Sequence, residues 1–141
     1  MKEGEEFMTR DVQERVRRGA KLLDSRPELT GWRDRIDLTT LDLGSASHCV
    51  LGQVYLDAAT KEAAERGFPF YGCAYFHGED ALGLATYADV VAHGFNFVDY
   101  DDDLPILDEA WRTYLRSREW RTRELSSVKM ALRALRRFLW G

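Results

Sequence analysis

The chain has 141 residues, 45% of them hydrophobic and 12% aromatic, with a formal net charge of −4. That suits one domain with one buried core and excludes disorder throughout, while the negative charge argues against nonspecific nucleic-acid binding by the whole surface. Apolar runs of about 18 residues are absent, and the charged start from Met1 to Phe7 lacks the apolar stretch of a secretory signal, so the protein is expected in the cytoplasm.

Residues 1–8 are expected to form a flexible leader. From Thr9 onward, Val12, Val16, Ala20 and Leu23 recur at helical spacing, with Asp11 and Glu14 in the first turn, which predicts a helix ending before Pro27. Trp32, Ile36, Leu38, Leu41 and Leu43 alternate with polar residues across a packed connector from Gly31 to Leu43. Ser45 or Ser47 is expected to cap a second helix that starts near His48, carries Val50, Leu51, Val54, Tyr55, Ala58 and Ala59 on one stripe, and closes at Gly67. Gly52 inside that helix costs about 1 kcal/mol relative to alanine and so points to a close packing contact.

The aromatic, glycine-punctuated residues 68–76 predict an extended segment. A third helix is expected from Glu79 and Asp80, and a further turn or helix from Tyr87 to a stop at Gly94. Phe95, Phe97 and Tyr100 alternate, as in a short strand that would pair with 68–76. Asp102 and Asp103 then supply caps, and Pro105 sits in the first turn, of a helix with Leu107, Ala110, Trp111, Tyr114 and Leu115 on one face. Leu125, Val128, Leu132, Leu135 and Leu139 follow at spacings of three and four. The expected fold is mainly α: a flexible leader over 1–8, a compact domain over 9–118 of about five helices with at most a short β-hairpin, and a basic amphipathic helix over 119–141.

Charge is unevenly placed along the chain. Lysine and arginine are absent between Arg66 and Arg112, where nine acids fall (Glu79, Asp80, Asp89, Asp99, Asp101, Asp102, Asp103, Asp108 and Glu109). From Glu119 to Gly141, six basic residues stand against two acids, a net of +4 that leaves −8 for residues 1–118. Two candidate partner-binding surfaces follow: Asp99, Asp101, Asp102 and Asp103 on the acidic side, and Arg133, Arg136 and Arg137 with Leu132, Leu135 and Leu139 on the tail. The acidic side would dock on a basic protein or imitate nucleic-acid phosphates, a solvated face being the plain alternative. For the tail the favoured uses are docking on the protein's own body and a homodimer or other protein contact. DNA binding through the arginines and attachment to an anionic membrane surface rank below them.

Chemistry-bearing motifs are sparse. His48, Cys49, Cys73 and His77 are four potential zinc ligands, but no Cys-x-x-Cys or His-x-x-x-His pair fixes a site, and free buried thiols are the plainer expectation. His77-Gly-Glu79 has the His-x-Glu half of the zinc deaminases without the Pro-Cys-x-x-Cys half. The alternate acids of Asp99-Tyr-Asp101-Asp-Asp103 open like a calcium loop, yet Leu104 stands where glycine is needed and Ala110 where glutamate is needed. Ser45 and Ser47 neighbour His48 without a nucleophile elbow, and neither a Walker loop nor a dinucleotide fingerprint occurs. The aromatics between Phe68 and Tyr100 have no basic residue beside them to hold phosphate, so core packing is expected of them. No cofactor is expected; a small His/Cys metal enzyme is the competing class.

The strings Arg18-Gly-Ala-Lys-Leu-Leu-Asp24, Gly31-Trp32, Ile36-Asp-Leu38, Leu41-Asp-Leu43, Cys49-Val-Leu-Gly-Gln-Val54, Asp80-Ala-Leu-Gly-Leu84, Gly94-Phe95 and Ala110-Trp111 occur in this order. Together they resemble a group of small uncharacterised proteins encoded by actinobacterial phages and related mobile elements, over residues 14–118. The resemblance implies a phage or phage-derived gene acting inside a bacterial host, and it carries no activity with it. The chain departs from that group in a longer stretch over 57–70 and in the basic tail. The expected function is noncatalytic binding of a host or phage macromolecule.

Overall fold

Val12, Val16, Ala20 and Leu23 form a fully buried stripe, and burying each branched side chain supplies about 1.5 to 3 kcal/mol toward holding the first helix on the core. That helix is α1 (Lys2–Asp24) in a computed structural model that describes residues 2–66, 74–117 and 132–139. It is followed by two 3-10 turns, Pro27–Leu29 and Trp32–Arg35, and then by α2 (Val50–Val54), α3 (Leu56–Arg66), α4 (Ala74–Ala81), α5 (Tyr87–Ala92) and α6 (Asp103–Arg116). A helical segment, α7, covers 132–139. The protein is mainly helical, with a single compact helical domain and no strand among the described residues.

α1 and α6 lie against each other, α5 rests on α1, and α2 and α3 both pack on α4. Trp111 of α6 sits at the centre of the body and is completely buried. Its ring stacks on Phe95 at 5.9 Å and meets Trp32 and Tyr114 edge-on at 6.4 and 6.0 Å. Its indole N–H donates to the Gly94 carbonyl at 2.6 Å, so the one polar atom of the ring is satisfied inside the core. The connector is packed as expected: Trp32, Ile36, Leu41 and Leu43 are buried. It is tied to α6 by Arg112, which donates to the carbonyls of Leu38 and Leu41, and by Asp108, which accepts from the Leu43 N–H.

Several sequence expectations need correction. Residues 2–8, expected as a flexible leader, continue α1, consistent with a segment rich in glutamate, a good helix former favoured near a helix N-terminus. Ser45 and Ser47 do not cap the second helix. Their segment forms the preceding turn, in which the Ser45 carbonyl accepts from the His48 and Cys49 N–H groups, and the cap is the Cys49 sulfur, which accepts from the Gly52 N–H at 3.3 Å. The second helix also breaks in two at Tyr55, whose ring is buried against α4. The third helix begins at Ala74 and ends at Ala81, so Glu79 and Asp80 lie in its last turn.

The expected hairpin is not formed among the described residues. Residues 74–76 are helical, and the backbone donors of Phe97 and Val98 are taken by side chains, Asn96 Oδ1 and Asp103 Oδ2, in place of a strand partner. Residues 67–73, which include the expected close of the second helix at Gly67, lie outside the described residues. α6 stops at Arg116: Ser117 adopts an extended conformation, and its hydroxyl donates to the Tyr114 carbonyl. Residues 118–131, 140 and 141 also lie outside the described residues.

Two glycines let α1 approach the turn after α5. A Cβ on Gly19 would collide with the His93 carbonyl oxygen, a backbone atom that cannot swing aside. Gly94 takes a left-handed φ of 70°, where a side chain is strained, and its backbone faces that of Arg15. Gly19→Ala is therefore expected to cost about 1 to 3 kcal/mol, the range for overpacking a close contact. A urea midpoint equal to that of the parent would show that α1 shifts without penalty.

Candidate functional site

The close approach at Gly19 and Gly94 delivers Arg15 into the body. Arg15 donates from Nη1 and Nη2 to both carboxylate oxygens of Asp103 at 2.9 and 3.1 Å. Its Nε also donates to the Val91 carbonyl at 2.8 Å, and Nη2 to the Asn96 carbonyl at 3.0 Å. Asp103 also accepts from the Val98 N–H at 2.7 Å. Both residues are buried, Arg15 at 5% and Asp103 at 6% exposure. Burial pushes the Asp103 carboxyl up, but hydrogen bonds and charge from Arg15 and the Val98 N–H outweigh it and hold it below its ordinary value. Asp103, expected on a partner-binding surface, is thus an internal clamp joining α1, the loop before α6 and α6 itself.

The outside of that loop is different. Asp99 Oδ1 accepts from the N–H groups of Asp101 and Asp102 at 2.9 and 3.0 Å, and its carbonyl accepts from Asp103 and Leu104, closing a tight turn. The turn presents Val98 at 68% and Tyr100 at 69% exposure, flanked by the exposed Asp99, Asp101 and Asp102. Tyr100 leans edge-on against Phe97 with ring centroids 6.0 Å apart. The exposed Tyr87 donates its hydroxyl to the Phe97 carbonyl, and Asn96 donates to the Tyr75 hydroxyl at 2.9 Å, so α4 and α5 both brace the loop. Burial, aided by Glu79, pushes the Tyr75 hydroxyl well up, which keeps it protonated. An apolar centre with a polar rim on a fixed backbone is the anatomy of a protein-binding patch.

The acids of the basic-free stretch are less available than the sequence suggests. Asp108 pairs with Arg112 at 2.7 Å, Asp89 completes the capping box of α5 with Thr86, and Arg18 from α1 donates to the Ala92 carbonyl. Arginines from elsewhere in the chain therefore thread this region in space. What remains as outward acidic charge on the loop is Asp99, Asp101 and Asp102.

All eight residues of α7 are exposed, including Leu132, Leu135 and Leu139 at 53 to 63% and Phe138 at 87%. At 100° per residue the three leucines fall within an arc of about 60°; Arg136, Arg133 and Arg137 follow on one flank and Phe138 lies on the other. Within the chain this helix and the acidic loop both stay exposed, so the structure does not bring the two candidate surfaces together. No helix among the described residues is long and apolar enough to cross a membrane.

The metal and nucleophile candidates are dispersed. Cys49 is buried as a cap, His48 is exposed, and the His77 ring lies 5.7 Å from that of Tyr55. Cys73 lies outside the described residues. Among the described residues, no group of three or more His, Cys, Asp or Glu is placed to hold a metal ion. The alternate acids of the 99–103 loop do not converge, because Asp103 faces Arg15. The Ser45 and Ser47 hydroxyls lie 3.1 and 3.0 Å from His48 Nδ1. Both sit on the same ring nitrogen, so the place an orienting acid would take in a triad is filled by a hydroxyl. A cavity of about 220 Å³ lies beside the end of α1, lined by residues that include Asp24, Trp32 and Arg33. Arg33 grips Asp24 at 2.7 and 2.9 Å, and the Trp32 indole N–H donates to Asp24 at 2.8 Å, so these two charged groups of the wall engage each other.

No protein-family model matches the chain, and neither a curated protein nor a solved structure is detectably similar to it. Sequence reasoning missed Arg15 and Val98. Arg15 carried a usable signal, a charge at helical spacing within the stripe of Val12, Val16, Gly19 and Leu23; Val98 carried none, because its exposure depends on the turn that Asp99 closes.

Proposed function

We propose that the protein is a noncatalytic binding protein of a phage or phage-derived element, engaging a basic, partly apolar protein partner through the Val98–Asp102 turn, the α7 helix, or both. The observation that carries this is an exposed Val98 and Tyr100 on a turn whose backbone is fixed from inside by Arg15 and Asp103. Preorganised aromatic side chains bind at low entropic cost, and an acidic rim speeds encounter with a basic partner. The origin in a mobile element is supported by the resemblance over residues 14–118. Capture from a bacterial host lysate tests the reading, with Tyr100→Ala and Asp101→Lys/Asp102→Lys variants compared with the parent. Tyr100→Ala is expected to weaken a specific capture by about 30-fold, the scale of a 2 kcal/mol hot-spot residue. Equal capture by both variants and by a chain ending at residue 118 would remove these surfaces from the function.

A further inference from the structure

We infer that the Val98–Asp102 surface is occupied, in the protein alone, by the α7 helix of a second copy, each copy lending its tail to the other in a twofold dimer. The inference rests on the binding role proposed for this surface and names its first occupant.

Three observations carry it. The first is exposure: in one chain the leucine face of α7 and the apolar centre of the turn are both uncovered, so neither satisfies the other within that chain. The second is charge complementarity, because α7 carries Arg133, Arg136 and Arg137 on one flank of its leucine face, while Asp99, Asp101 and Asp102 rim Val98 and Tyr100. A helix laid with its leucines on the apolar centre sets that flank against the acids. The third is the penalty on the rival arrangement. Pairing α7 with α7 through the leucines would bring the arginine flanks of both copies, six arginines in all, to one seam, with no acid between positions 132 and 139 to offset them. The acidic turn is the surface that covers the leucines and neutralises the arginines together. Reciprocal exchange closes the assembly at two copies, since each body has one turn and each tail one helix.

The test is mass in solution, by sedimentation or light scattering, across protein concentration and at two ionic strengths. The parent is expected to be a dimer whose dissociation constant rises at least tenfold between about 0.05 and 0.5 M salt, as the screening length falls. Arg133→Glu/Arg136→Glu/Arg137→Glu and, separately, Asp101→Lys/Asp102→Lys are each expected to be monomers. Asp99 and Asp103 are left intact because they build the turn. Mixing the two variants restores opposite charge at both contacts and is expected to restore a heterodimer. All the replaced side chains are exposed, and helical circular dichroism equal to the parent's confirms that both variants fold. A parent that stays monomeric at low salt, a dimer indifferent to Asp101→Lys/Asp102→Lys, or variants that fail to combine would each overturn the exchange. Such a failure leaves capture of an outside partner by the turn untouched, whereas loss of that capture leaves the mass measurement untouched, so the two readings fail separately.

Discussion

Asp103→Asn is expected to destabilise the protein by about 3 to 5 kcal/mol, because it leaves the Arg15 guanidinium buried beside a neutral amide, with only the exposed Asp11 carboxylate, 3.9 Å away, to offset its charge. The cost comes from the uncompensated charge. Arg15→Met/Asp103→Leu should therefore recover much of the stability lost in the single variant, since an apolar pair of similar volume has no charge to desolvate. Urea unfolding of the two variants checks the order. The same clamp sets the response to acid. The folded carboxyl of Asp103 lies below its ordinary value of 3.8, so its contribution is fully present above that value and is lost as the pH falls through the lower, folded value. Asp24 behaves alike: partial burial pushes its carboxyl up, and the hydrogen bonds from Arg33 and Trp32 more than reverse this. The urea midpoint is expected to hold steady from neutral pH down to about 5 and to drop below about 4, with a shallower drop in Asp103→Asn. An equal acid response in the variant would assign the loss to other carboxylates. Amide exchange across 96–102 should also quicken in Asp103→Asn, because the Val98 N–H loses its carboxylate acceptor.

Trp111→Ala is expected to cost about 3 to 5 kcal/mol or to prevent folding outright. Trp111 is 0% exposed and contacts Phe95, Trp32 and Tyr114, which come from the turn after α5, from the connector and from α6 itself. Truncation leaves a void between three segments that cannot collapse independently, and it strips the Gly94 carbonyl of its buried donor. Trp111→Phe keeps much of the ring and loses only the smaller part together with that hydrogen bond, so it should fall between parent and alanine variant. A thermal melt of the three proteins gives the order, and an alanine variant as stable as the parent would show that Trp111 does not anchor the core.

The apolar face of α6 was legible in the sequence because its Leu107, Trp111 and Leu115 spacing allows one helical face to be buried. The close contact at Gly52 was legible for a related reason, since a glycine costs helix stability unless a neighbour needs the space; a Cβ there would meet the backbone of Ala46 and Ser47. Alternation of Phe95, Phe97 and Tyr100 resembles a strand, yet among the described residues the backbone donors of Phe97 and Val98 are met by Asn96 and Asp103. On the surface, a run of acids predicted a single acidic face. The fold places six of the nine in a buried clamp, a helix cap, a connector tie and a three-residue exposed rim, while Asp80 and Glu109 face outward elsewhere and Glu79 is half-buried.

The sequence by itself determined the helical class, the packed connector around Trp32 and the amphipathic character of the tail, since the spacing of apolar residues along the chain is a local property. Only the tertiary structure decided which charges are buried and which face outward. Arg15 and Asp103 stand 88 residues apart and meet because Gly19 and Gly94 let two backbones touch. Charge pairing across that distance depends on the path of the chain, and no local pattern encodes it.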